Sequence, residues 1–184
     1  MAYTGTDRYI ARLRFRAAYR HIRPDSRVCD LGCGLETGFL EYAADRIACG
    51  VGVDDQVEGG WRGRWQCVHA DIRAPLPLQA GQFDHVVMLA VLEHLAEPES
   101  VLREAHRLLA PGGSLILTWP SAMVDPFLGA LHALRLVSDE MESDEHQKRI
   151  PVETLQGMLR RIGFQKFTHR RFELGLNNLM VAGR

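Results

Sequence analysis

The chain is short of several things. Four cysteines in 184 residues, all within the first 67, are too few and too clustered for a disulfide framework. Three of them (Cys29, Cys49, Cys67) fall in segments that read as buried strands, which points to reduced thiols in a cytoplasmic protein. Their spacing fits no zinc template; Cys67 and His69 alternate along one strand as packing residues. A basic excess is missing too: Lys plus Arg number 22 against 23 Asp plus Glu, a formal net charge of −1, which disfavours a generic nucleic-acid binder. No apolar run approaches the roughly 18–20 residues of a membrane span. The N-terminal stretch MAYTGTDRYIARLRFRAAYR lacks the apolar centre of a secretory signal. Its arginines resemble those of an organelle transit peptide, but only a few residues separate it from the first strand, so it reads as part of the fold. Internal repeats, low-complexity tracts and Gly/Ser linkers are also missing. A composition with 46% hydrophobic and 24% charged residues is that of a globular chain of one domain.

What is present is an alternation of short apolar runs with helical patterns. Arg27–Leu31 is a β-type run ending in Gly32-Cys33-Gly34, and Thr37–Arg46 reads as a helix with Phe39, Leu40, Ala43 and Ala44 on its apolar side. Ile47–Val53, Trp65–His69, Phe83–Leu89 and Ser114–Trp119 read as further strands. A helix spans about Glu97–Leu109 and stops at Pro111-Gly112-Gly113. After residues 121–150, an apolar helical stretch followed by the polar run SDEMESDEHQKR, come a helix near Pro151–Ile162 and two strands, near Lys166–Leu174 and Asn178–Ala182. The turn between them predicts a closing hairpin with the last strand antiparallel. Strands alternating with helices predict an α/β fold of three layers, a doubly wound, Rossmann-like, seven-stranded and mostly parallel sheet. The expected organisation is one domain over 1–184: an N-terminal helical cap (1–25), a core (26–120), an insertion or lid (121–150), and a closing helix and hairpin (151–184).

The sharpest local feature is Val28-Cys-Asp-Leu-Gly-Cys-Gly-Leu-Glu-Thr-Gly38, a strand entering a glycine turn and then a helix. Glycines there let backbone approach a ligand and expose amides at a helix start. A dinucleotide fingerprint, G-x-G-x-x-G, needs Gly at 37, where this chain has Thr. A carboxylate at Asp30, two residues before the turn, would repel a pyrophosphate and suits a ligand bearing positive charge.

Asp30-Leu-Gly-Cys-Gly34, with Gly52-Val-Asp54 closing the second strand, resembles the class I S-adenosylmethionine-dependent methyltransferases, of the small-molecule, type 11-like kind. Ala70-Asp71 with Leu76-Pro77-Leu78 resembles that family's adenine-contacting segment, and Phe83–Leu95 its fourth strand and following loop. Leu108–Leu117 is similar to its "L-K-P-G-G-x-L-x-I" passage, and Leu155…Arg161-Ile-Gly-Phe164 to its closing helix. The resemblance covers 26–120 closely and 150–184 more loosely. It implies S-adenosyl-L-methionine as cofactor, held by Asp30, Gly32, Cys33, Gly34, Asp54, Asp71, Ile72, Leu89 and Ala90. In that reading Asp54 takes the ribose hydroxyls and Asp71 the adenine amino group. The catalytic candidates are His94 and His146, no metal is called for, and the partner is a small-molecule methyl acceptor whose accepting atom is left open.

Each role has a plainer rival. The glycines also suit a tight strand–helix turn, Asp54 a helix cap, Asp71 a side-chain turn, and His94 and His146 a structural or solvated place. Arg8, Arg12, Arg16 and Arg20 fall on one helical face, read as solvated; the acidic run 138–145 reads as an exposed loop. Trp61 and Trp65 stand where a helix is usual and would cover either the adenosine or the sheet edge. Two other functions compete: a nicotinamide-dependent oxidoreductase, against which Thr37 and Asp30 argue, and a non-catalytic cofactor-binding relative.

Overall fold

The computed structural model describes residues 5–122 and 150–184. Helix α1 (Gly5–Tyr19) leads into β1 (Ser26–Leu31), α2 (Gly38–Tyr42), β2 (Ile47–Asp54), β3 (Gly60–Arg62), β4 (Trp65–His69) and β5 (Phe83–Leu89). A 3-10 turn at Leu92–His94 precedes α3 (Pro98–Leu108), β6 (Leu109–Pro120), α4 (Val152–Ile162), β7 (Lys166–Phe172) and β8 (Asn177–Gly183). The sheet runs β3-β4-β2-β1-β5-β6-β8-β7. Strands β4, β2, β1, β5 and β6 are parallel neighbours, and β8 runs antiparallel to both β6 and β7. The seven expected strands are therefore present with the last one antiparallel. An eighth, β3, adds antiparallel to β4 where a crossover helix was found wanting in the sequence.

Alternation along the strands decides the two cores. Val28, Val87, Ile116 and Leu179 face α1 and α2, meeting Ala17, Ala18, Phe39 and Leu40. Cys29, Val86, Leu115 and Met180 face α3 and α4, meeting Val101, Leu102, Ala105, Leu155 and Leu159. Helix α3 starts with Pro98 in its first turn and buries Val101, Leu102, Ala105 and Leu108, one stripe of its surface. Helix α4 ends at Gly163, whose φ of 124° lets its amide and that of Phe164 turn back to the Leu159 carbonyl at 3.1 and 3.0 Å.

Three local expectations need correction. Helix α2 covers only Gly38–Tyr42 rather than 37–46, because Ser26 N already binds the Arg46 carbonyl (3.1 Å) and the chain must reverse into β2. Pro111-Gly112-Gly113 does not separate helix from strand: β6 starts at Leu109, and the register jump from Phe83↔Leu109 to His85↔Ser114 makes that tripeptide a bulge. Cys49 is exposed, and the third buried thiol is Cys33 in the glycine turn; all four cysteines are free. No helix among the described residues is long and apolar enough to cross a membrane.

Candidate active site

The glycine turn leaves β1 and folds over the end of β2. Gly32 N and Cys33 N both donate to the Val53 carbonyl, at 2.8 and 3.2 Å. Gly32 has φ +80°, and a Cβ on it would lie 2.5 Å from Val91 Cγ2, so only glycine lets the loop after β5 close against this turn. Gly52 makes matching room on β2: a Cβ there would meet Cys33 Sγ at 2.8 Å. The path around Glu36 runs through buried Thr37 in a left-handed conformation (φ 49°). Gly38 then opens α2 with the Phe15 ring of α1 at 3.2 Å from where its Cβ would stand, so this glycine serves helix packing.

Asp54 ends β2 half-buried. Its Oδ2 accepts from Gly34 N and its Oδ1 from Gln56 N, both at 2.9 Å. Each oxygen keeps acceptor capacity for a further donor, such as one of two vicinal hydroxyls. Asp30 lies on the adjacent strand, 3% exposed, and its pKa is pushed up to about 7, first by burial and then by the Asp54 charge. A carboxyl so poised gains from any cation brought beside it. Asp30, Gly32, Cys33, Gly34 and Asp54 are thus brought together in one frame at the carboxyl ends of β1 and β2.

Leu89 and Ala90 close the neighbouring strand β5. Ala90 takes φ +58°, and its amide donates to the Thr118 carbonyl (3.0 Å) and to Thr118 Oγ1 (3.2 Å), which aims Val91 at Gly32. Asp71 and Ile72 follow β4 on the other side. Asp71 Oδ1 accepts from Arg73 N (2.9 Å) and Arg73 Nε (2.7 Å), a side-chain turn, while Ile72 packs half-buried against the α3–α4 core. Of the two tryptophans, Trp65 is buried across Gly50 with its Nε1 donating to Glu41 Oε1, whereas Trp61 is 74% exposed at the edge. Trp65 is therefore a core residue. Arg12, Arg16 and Arg20 are exposed.

His94 is exposed in the 3-10 turn, and its neighbour Glu93 is the buried one, at 3%. Glu93 Oε2 has no hydrogen-bond partner, and burial raises this carboxyl's pKa, opposed by His94 and by Arg14 of α1. Arg14 acts in the same way on Glu173, in the turn between β7 and β8. One Glu173 oxygen accepts from Asn177 Nδ2, while the other, with Asn177 Oδ1 and Arg14 Nε, is buried without a partner. Sequence reasoning singled out His94 and passed over Glu93, although a carboxylate inside the apolar run Val91-Leu92-Glu93-His94-Leu95 was a signal. Nothing local marked Glu173 or Asn177. His146, Phe127, Leu131, Leu134 and the lid lie outside the described residues.

A family model described as a methyltransferase domain matches residues 3–169. The ubiquinone biosynthesis O-methyltransferase of Pseudomonas aeruginosa is 35% identical over 128 residues, covering 60% of this chain and 53% of that protein. Its counterpart in Bordetella avium is 31% identical over 136 residues, covering 65% and 55%. The chain thus spans about half the length of the curated relatives it matches. Among solved structures, an S-adenosylmethionine-dependent methyltransferase from Archaeoglobus fulgidus superposes with a TM-score of 0.69 at 16% identity, covering 96% of this chain and 94% of the other. One from Mesorhizobium loti gives 0.67 at 19% identity, covering 93% and 98%. At such identity the likeness is one of fold.

Proposed function

The chain belongs to the methyltransferase-domain family, the S-adenosylmethionine-dependent enzymes of class I, and on that premise we propose that it methylates an oxygen of a small-molecule acceptor. Membership removes the nicotinamide-dependent alternative. The observation that carries the cofactor site is the frame of Asp54, Gly34 and Asp30: a half-buried carboxylate held by two backbone amides beside a buried, cation-seeking one. That donor and acceptor set fits a ligand with a vicinal diol and positive charge. An oxygen acceptor is supported by the curated relatives, which are O-methyltransferases.

In this reading Asp54 accepts the ribose hydroxyls, the turn 32–34 supplies close backbone, and Asp30 balances positive charge. Leu89 and Ala90 wall the site from the β5 side, with Asp71 and Ile72 at its far end. The bound cofactor supplies an already activated methyl group, so the chain's tasks are to align donor and acceptor, exclude water and remove the hydroxyl proton. His94, exposed beside Glu93, stands at the solvent side of the site.

A thermal-shift panel tests the reading. S-adenosylmethionine and S-adenosylhomocysteine are expected to raise the melting temperature by several degrees, and NAD and NADP to leave it unchanged, since a native-state ligand adds RT ln(1 + [L]/Kd). Stabilisation by the nicotinamide cofactors alone would overturn it, and methyl transfer only to amines would overturn the choice of oxygen.

A further inference from the structure

A cavity of about 200 Å³ lies between the end of α1 and strand β7, lined by His21, Thr168, His169, Arg170 and Leu179. Register pairs Arg170 with Leu179 and Thr168 with Val181. Leu179 and Val181 pack in the core that α1 covers, so Thr168 and Arg170 stand on that same face of the sheet. Strand order sets β7 beyond β5, β6 and β8 as counted from β1, so this cavity is separate from the frame of Asp30 and Asp54.

Arg170 is anchored there from both sides. Its strand holds the backbone, and its Nη2 donates to the Ala17 carbonyl of α1 at 3.3 Å. That carbonyl lies in the last turn of the helix, where the helix dipole favours a cation. Arg170 Nε is buried without a hydrogen-bond partner. Nε and Nη2 share one edge of the guanidinium, the edge that takes a carboxylate through two parallel bonds, and Nη2 has a second hydrogen to give.

The surroundings are positive. Among the described residues that line the cavity, three are His or Arg and none is acidic, in a chain whose net charge is −1. Burial first, and then the charges of Arg170 and Arg20, hold the His21 pKa below its ordinary value. The His169 ring is engaged elsewhere, with its Nε2 3.0 Å from Asn178 Oδ1 and its plane tilted against Trp119. Arg170, His21 and the Thr168 hydroxyl are the polar groups left to the cavity, and Leu179 is its apolar wall.

We propose that this cavity binds a small organic carboxylate, with the carboxylate on the Nε–Nη2 edge of Arg170 beside the Thr168 hydroxyl and a short apolar body against Leu179. One guanidinium edge answers one negative charge, and Leu179 offers nothing to the further oxygens of a phosphate. The volume is several times the roughly 30 Å³ share of one water, so a single bridging water does not fill it. The site is independent of the cofactor's identity.

The test titrates the intact chain with benzoate, benzamide and inorganic phosphate, following the Leu179 methyl and His21 ring signals by NMR. Benzoate is expected to shift both saturably with a Kd of about 1 mM, and benzamide, of the same shape without the charge, to bind about tenfold more weakly. Thr168→Ile fills the cavity and leaves the bond from Arg170 to Ala17 in place, so it should remove benzoate binding at an unchanged melting temperature. Arg170→Lys keeps the charge without the fork and should weaken benzoate about tenfold. No saturable shift with benzoate overturns the site, as does either folded variant binding benzoate as tightly as the wild type. Equal binding of benzamide shows a merely apolar hole and overturns the anion assignment. Binding of phosphate without benzoate overturns the choice of a carboxylate.

Discussion

Along the carboxyl edge of the sheet, two neighbouring stretches are held in opposite ways. Over β1 and β2 the chain bonds mostly to itself at short range in space: Gly32 and Cys33 to Val53, Gly34 and Gln56 to Asp54. Over β5 to β8, Glu93 Oε2, Glu173 Oε1 and Asn177 Oδ1 are buried without hydrogen-bond partners. The first stretch is rigid because backbone geometry specifies it. The second leaves buried polar atoms unpaired, a costly arrangement in a folded chain.

Replacing Gly32 is the hardest test of that rigidity. Gly32→Val should cost about 3 kcal/mol or more and lower the melting temperature by about 10 °C, from overpacking against Val91 and the left-handed φ together. Adding Val91→Ala restores the space but not the backbone cost, so calorimetry of the double variant should recover only part of the loss. Full recovery would show that the turn is merely crowded.

Next in size is Asp54→Ala. Losing the carboxylate should weaken cofactor affinity by about ten- to a hundredfold, the worth of charge-assisted hydrogen bonds, in a protein that remains folded. Unchanged affinity by titration calorimetry would remove Asp54 from the ribose role and blur the contrast between the two stretches.

Asp30 sharpens the comparison through pH. Its folded pKa, about 7, lies above the ordinary carboxylate value, so the folded state holds this proton more tightly than the unfolded chain. Its contribution to stability accordingly falls as pH rises from about 4 to about 7 and is flat above that. Asp30→Asn should remove this component, leaving the apo protein more stable than wild type at pH 8 in urea melts. Wild-type cofactor binding should release the proton, so affinity should grow with pH up to about 7. Calorimetry in buffers of different ionisation heat reads that release directly.

The smallest effect is expected at the opposite end of the strands. Asp84 accepts from Arg27 N, Nε and Nη2, and this holds its pKa at about 2, well below the ordinary value. The pair's contribution is present above about pH 4 and lost between about 4 and 2. With side-chain exposures of 46% and 26%, Arg27→Ala should cost under about 1 kcal/mol at neutral pH and leave cofactor affinity untouched. Any change in affinity would mean that the two ends of β1 are coupled.

How much was legible divides along the same line. The frame of Asp30, the turn 32–34 and Asp54 is written in two short segments, because a glycine turn after a strand and an acid ending the next strand are local requirements of backbone shape. Asp71 was legible as a motif, yet its Oδ1 is taken up by Arg73, which only coordinates reveal. The shortened α2, the bulge at 111–113 and the added β3 escaped for one reason: each is decided by a neighbouring strand's reach and register rather than by local preference. Glu93 was passed over although it stands inside the apolar run Val91–Leu95, where the folded chain buries it.

By itself the sequence determined the alternation of strands and helices and the two-faced burial of the parallel strands. Apolar periodicity and the conformational demands of glycine act over a few residues, and such signals survive without a structure. Only the tertiary structure decided which distant segments meet. Arg170 Nη2 of β7 donates to the Ala17 carbonyl of α1 at 3.3 Å across 153 positions, and nothing in local chemistry says that a helix at one end of the chain and a hairpin at the other will meet. That meeting follows from strand order, which carries β8 between β6 and β7 and brings the closing hairpin to the side of the sheet that α1 covers.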